Sequence, residues 1–418
     1  MKETLDLARR TPGVLTLLTG NFAVAFGSNL VIPFLAVYLT RELELSAVVV
    51  AMAITVKFWA QQGLSMVGGW IADRTGAVPA MCGGLLVRAV SYLLLMGATG
   101  SVTVVAACAL LGFGGAIYVP ASKSALVRLL GTGDQVRMIF ALRSTANNAG
   151  SALGPLAGSL LLLVADARVS FVLTSTTYVV LAIVLLRLRG LTEGEEPRAA
   201  GASSDPGAGD ARAPVDRRTL AWILACAFAF GFCYIQLEYA LPVYTGAEHD
   251  PALVGVLFAI NAVAVVLLQV PLNQSTSRVS SSALVICGSL LLMSTSFMAA
   301  SWGTVGGLVA CVLLFSAAEV LIDPRIDGEI ANSVPAHRRG MAFGLVGSAI
   351  GGGGACANVL AASLATGDGG LESQFWWILA VISVGFAVVL YGASLAVRPA
   401  ARRERSRRNR PVTDLTGA

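Results

Sequence analysis

The chain has 418 residues, of which 56% are hydrophobic and 13% charged, against about 25% charged in soluble globular domains. That balance excludes a soluble domain and places the protein in a bilayer. The net charge of +5 needs no nucleic acid to explain it, because the basic residues gather at the ends of apolar runs.

About 20 apolar residues make one helical crossing of a bilayer core. Twelve such runs follow one another, at 14–39, 46–70, 80–98, 102–126, 138–164, 169–189, 219–245, 252–272, 281–300, 303–325, 339–365 and 374–397. Backbone amides cannot stay unpaired in hydrocarbon, so these runs are helices. The first carries Asn21 and Asn29, and with Lys2, Arg9 and Arg10 before it and no small-residue cleavage site it reads as a span, not a signal peptide. Lys57 lies near the middle of the second run, which ends in the charged turn Gly69-Trp-Ile-Ala-Asp73-Arg74-Thr-Gly76. Arg88 is on the third, and Tyr118 and Pro120 are on the fourth. The fifth holds Gly150-Ser-Ala-Leu-Gly154-Pro155-Leu-Ala-Gly158, in which the proline removes a backbone donor and the glycines let another backbone approach. Residues 190–218 turn to Glu193, Glu195, Glu196 and a Gly/Ser/Asp/Pro stretch, the composition of a flexible linker. The seventh run carries Tyr234, Gln236 and Glu238, the tenth Glu319, and the eleventh the glycine face Gly340, Gly344, Gly347 and Gly351.

The expected fold is therefore an all-α membrane protein, with twelve transmembrane helices in two six-helix pseudo-repeat bundles. Its parts are an N-terminal bundle at 1–189, the linker at 190–218, a C-terminal bundle at 219–397 and a basic tail at 398–418. Arg74 and Arg278 (278 − 74), Pro120 and Pro324 (324 − 120), and Gly150 and Gly354 (354 − 150) are each 204 residues apart and hold matching places in the two halves. Lys and Arg concentrate in the termini, the linker and the even-numbered connections, so the positive-inside rule puts both termini on the cytoplasmic side of the cell membrane. The tail is then an anchor on anionic lipid. The seven cysteines fall in apolar runs without metal-like spacing, so neither a metal nor a cofactor is expected.

Gly69-x-x-x-Asp73-Arg74-x-Gly76 resembles the loop signature of the major facilitator superfamily of secondary transporters, between the second and third membrane helices. The fifth-helix stretch resembles the antiporter motif of drug:proton exporters, Gly-x-x-x-Gly-Pro-x-x-Gly-Gly, with Ser159 in place of the last glycine. Gln61-Gln62-Gly63 running into Gly68-Gly69, with Ser124-Ala-Leu-Val127, is similar to a branch of bacterial multidrug-resistance exporters. The resemblance implies that Asp73 latches the two halves, and that Asn21, Asn29, Tyr118, Tyr234 and Gln236 face a central pathway. Two basic residues usual after the loop motif are Ala77 and Val78 here. The fourth-helix arginine implicated in proton coupling is replaced by Cys108, four residues before Gly112, so coupling must use other groups or be absent.

A charged residue at a helix centre costs about 2.5–3.5 kcal/mol on insertion scales, so Lys57, Glu238 and Glu319 are candidate coupling groups or structural ion pairs. Arg88, Asp323, Arg325 and Asp327 read as interfacial or gate-closing salt bridges. The expected function is export of small amphipathic molecules by a monomer, with protons as coupling ion. The alternative is proton-coupled uptake of a metabolite such as a sugar or organic acid. No nucleophile–base pair, phosphate loop or metal cluster points to an enzyme.

Overall fold

The computed structural model describes residues 13–130, 134–164, 166–187, 217–249, 252–277, 279, 281–364 and 372–408. The first twelve residues, the linker expected at 190–218 up to residue 216, and 409–418 of the tail lie outside them. The described chain is helical, without strands. Its helices are α1 (Val14–Arg41), α2 (Ala47–Gly63), α3 (Ser65–Thr75), α4 (Ala77–Met96), α5 (Ser101–Leu130), α6 (Asp134–Val164), α7 (Ala167–Leu186), α8 (Arg217–Glu238), α9 (Ala240–Glu248), α10 (Ala252–Thr276), α11 (Ser282–Ala300), α12 (Val305–Ser333), α13 (Arg339–Ser363) and α14 (Ser373–Arg408).

Among the described residues ten stretches are long and apolar enough to cross a membrane. The two further crossings expected at 46–70 and 138–164 fall short for different reasons. The first is broken at Leu64 (φ −89°, ψ 4°) into α2 and α3, neither of which is long enough alone. The second, α6, carries Arg143, Asn147, Asn148 and the glycine–proline motif, which lower its apolarity. A similar interruption at Tyr239 parts α8 from α9, where Pro242 has no N–H to return to the carbonyl of Glu238.

Helix ends overrun the apolar runs. Hydropathy locates the part of a helix in hydrocarbon, but backbone hydrogen bonding continues into the interface while side chains permit it. Thus α12 extends to Ser333, and Asp323, Arg325 and Asp327 lie inside it. The loop motif is also mostly helix: Gly69 to Thr75 form the end of α3, and only Gly76 leaves it, at φ 93°, where glycine is favoured. Starting at Ala77, α4 places Arg88 mid-helix and 6% exposed, not near an end.

Packing follows the same pattern twice. In the first part α1 packs on α6, α4 on α5, and α4 on α7; in the second α8 packs on α13, α11 on α12, and α11 on α14. Each part centres on buried aromatic rings: Tyr92 lies 5.9 Å from Tyr178, and Phe297 lies 6.1 Å from Trp376. Between the parts, α3 packs on α13 and α6 packs on α10 and α12.

Candidate functional site

The α3–α13 contact is built from small residues. A Cβ on Gly69 would collide with the carbonyl of Gly340, and one on Gly344 with that of Ser65. The two backbones therefore meet with no side chain between them. That closeness delivers Asp73 to the start of α13, whose first amides lack helical partners. Asp73 Oδ1 accepts from the Gly340 N–H at 2.7 Å and Oδ2 from the Met341 N–H at 2.8 Å. The helix dipole favours the carboxylate at this end. Burial pushes the Asp73 carboxyl up from its ordinary range, while these two amides and the charges of Arg128 and His337 pull it back down. Arg74 turns away, its guanidinium 4.3 Å from the Trp70 ring centre.

A second polar contact between distant segments lies at the same end of the molecule. Lys123 Nζ on α5 and Asp327 Oδ1 on α12 are 2.6 Å apart, with side chains 10% and 2% exposed. The residues are 204 apart, the offset that separates Arg74 from Arg278 and Pro120 from Pro324. Asp327 also feels the charge of Arg143 on α6. Of the group read from the sequence as salt bridges, Asp327 therefore forms one. Arg88 does not: its guanidinium donates to Ser28 and lies over Tyr178, 5.0 Å from the ring centre, without a carboxylate partner among the described residues. Arg88 stands at the middle of the apolar run 80–98 as it does of α4, so its depth is that of a buried residue and not of an interfacial one. Arg325 donates to the carbonyls of Thr276 and Val279, tying down the end of α10.

Acidic groups continue inward from this ion pair. Glu319, Asp323 and Asp327 follow at four-residue steps on α12 and share one face. At about 1.5 Å per residue, Glu319 lies about 12 Å deeper than Asp327. One oxygen of Glu319 is buried without a partner, and the carboxyl also meets Asn261, whose amide donates to Ser316 at 2.9 Å. Tyr234 on α8 hydrogen-bonds with Glu238 and stands within electrostatic reach of Glu319. Glu238 is exposed, and its charge and that of the half-buried Lys57 on α2 act on each other. A carboxylate and an ammonium from separate parts of the chain thus lie within reach of each other's charge.

The other candidates are placed more quietly. Asn21 donates to the carbonyl of Leu17 within its own helix, and Asn29 to Ala25 and, across helices, to Ser151 at 3.0 Å. Tyr118 and Gln236 are buried, each with one oxygen that lacks a partner. Gln61 lies against α5, where a Cβ on Gly115 would come within 2.9 Å of its Oε1. On α6 the motif glycines meet α1: a Cβ on Gly150 would lie 2.6 Å from the Phe22 carbonyl, and one on Gly154 2.8 Å from that of Phe26. Gly158 meets the Leu30 carbonyl similarly, and Pro155 lies within the helix. The stretch is a tight helix seam. The sequence reading missed Lys123, Asn261 and Ser316 as members of polar clusters. The 204-residue offset, applied to charged residues, would have found the first.

A multi-pass membrane protein whose buried charges pair between distant segments fits the class of secondary transporters. A family model described as Major Facilitator Superfamily matches residues 17–316 and 247–416, and the chain belongs to that family. It is similar to Multidrug resistance protein MdtH of Shigella boydii serotype 4, 28% identical over 356 residues covering 82% of this chain and 84% of that protein. With MdtH of Salmonella arizonae it shares 29% over 350 residues, again 82% and 84%. Its fold is similar to the crystal structure of the human organic anion transporter MFSD10 (TETRAN), with a TM-score of 0.70 and 17% identity over 92% of this chain and 99% of that one. The outward conformation of the major facilitator transporter FucP gives a TM-score of 0.71 and 14% identity, over 91% and 98%. Both of these solved structures are described as transporters.

Proposed function

We propose that the protein exports small amphipathic organic molecules, coupled to inward proton movement, by rocking two six-helix bundles of twelve crossings in all. The Asp73 and Lys123–Asp327 locks close its cytoplasmic face, where both termini lie, so the described state opens outward. A contact between equivalent positions of a repeat lies on the axis relating its copies, and Lys123 and Asp327 suit that place. The single observation carrying the proton reading is the series Glu238, Tyr234, Glu319, with Lys57 opposite. It offers proton carriers that need no fourth-helix arginine. A proton taken up by Glu238 from outside would cancel its attraction to Lys57, then pass by way of Glu319 toward the lock. The names of the bacterial relatives support drug-like substrates.

The test is transport in proteoliposomes holding a fluorescent lipophilic cation such as ethidium, with and without a pH gradient. Gradient-driven efflux by the wild type, lost in both Glu238→Gln and Glu319→Gln while downhill exchange persists, is the expected result. Gradient-driven movement that survives both substitutions would remove these acids from coupling. Accumulation in the opposite sense would make the protein an importer.

A further inference from the structure

A cavity of about 670 Å³ opens beside the Asp73 latch, between α3, the start of α8 and the start of α13. Its rim carries Arg74, Arg217, His337 and Arg338. The one acid lining it is Asp73, and both of that carboxylate's oxygens already accept backbone N–H groups. None of the three arginines forms a salt bridge with a described residue. Several like charges around one cavity repel, and an anion relieves them all at once.

The apolar lining is ordered along the helix axes. Trp70 lies one turn inward from Arg74, Leu220 three residues inward from Arg217, and Leu345 two turns inward from Arg338. The cavity is thus cationic at its mouth and apolar about 5–10 Å deeper, the gradient of a phospholipid from phosphate to acyl chain. Trp70, which lines the cavity, is 45% exposed.

We propose that this cavity is a binding site for one anionic phospholipid, its phosphate held by Arg74, Arg217 and Arg338 and its upper acyl chain against Trp70, Leu220 and Leu345. The lipid touches α3 from the first part of the chain and α8 and α13 from the second, so it clamps the latch shut. The clamp rests on the cytoplasmic assignment above, since that leaflet holds the anionic lipid. A soluble phosphate shares the headgroup chemistry but leaves the apolar half unfilled.

Binding can be read without transport or orientation. The full chain in detergent is incubated with dioleoylphosphatidylglycerol, with dioleoylphosphatidylcholine, or with inorganic phosphate, and the adducts are counted by native mass spectrometry. Expected is one phosphatidylglycerol retained in preference to phosphatidylcholine. Its affinity should fall about 30-fold in Arg217→Gln/Arg338→Gln, from roughly fivefold per arginine at the surface. Leu220→Trp, which fills the apolar half and keeps every charge, should also lose it. All forms keep the basic tail, so lipid gathered there cancels in the comparison. Equal retention of the two lipids, unchanged retention in both variants, or displacement of phosphatidylglycerol by inorganic phosphate would overturn the proposal. Loss of transport with this binding intact would instead count against the exporter reading alone.

Discussion

Replacing Lys123 by alanine removes one partner of a pair held at 2.6 Å between side chains 10% and 2% exposed. Leaving a buried charge uncompensated costs about 3–5 kcal/mol. Arg143 still acts on Asp327, so the lower end, about 3 kcal/mol, applies. That penalty falls on the state in which the two helices meet, and at about 1.4 kcal/mol per tenfold it moves the closed-to-open ratio about a hundredfold. Spin labels at Thr75 and Ser275, both exposed at this end, report the change as a distance distribution by pulsed electron resonance. The exposed Cys356 is replaced by serine to keep labelling specific. Lys123→Ala should populate a longer distance, while Lys123→Asp/Asp327→Lys should return most of the short one because the two sites are near-equivalents. An unchanged distribution in Lys123→Ala, or a swap no better than the single variant, would refute the lock.

Asp73→Asn keeps the shape but cannot accept from both Gly340 and Met341, since its amide nitrogen faces an N–H. The loss of about 1–3 kcal/mol should open the same label pair less than Lys123→Ala does. Gly340→Ala sets a methyl against the Gly69 carbonyl and Asp73 Oδ1, so it should lengthen that distance with every charge intact, and an unaltered distribution would contradict the seam. Gly154→Val puts two methyls into the Phe26 backbone and Asn29 on α1. A core overpacked in this way costs about 1–3 kcal/mol or more, which should appear as a lower thermal midpoint in detergent, whatever the effect on transport.

The membrane class and the place of each motif were legible because both depend on local sequence. Apolar length marks a crossing, and glycine spacing marks a seam. The contact of Asp73 with the start of α13 was legible only through the family resemblance, since its partners lie more than 260 residues away. The breaks at Leu64 and Tyr239 were missed: both fall inside apolar runs, where hydropathy is blind to backbone angle. Arg88 was taken for interfacial although it stands at the centre of its run, whereas Asp327, just past the edge of the run 303–325, does form the salt bridge expected of it because its helix continues to Ser333. Asn261 and Ser316 carry no signal of their own; they matter because folding brings them to Glu319.

Helix α13 has backbone contact on two sides. Beyond the α3 seam, a Cβ on Gly353 would meet the Phe228 carbonyl of α8, and one on Gly231 of α8 would meet that of Ile350. Gly340, Gly344, Gly347 and the run Gly351 to Gly354 give this segment little apolar side-chain area and a poor intrinsic tendency to stay helical. A segment with so few large side chains depends for its packing on partners that match it, and the glycine-bearing faces of α3 and α8 are those partners.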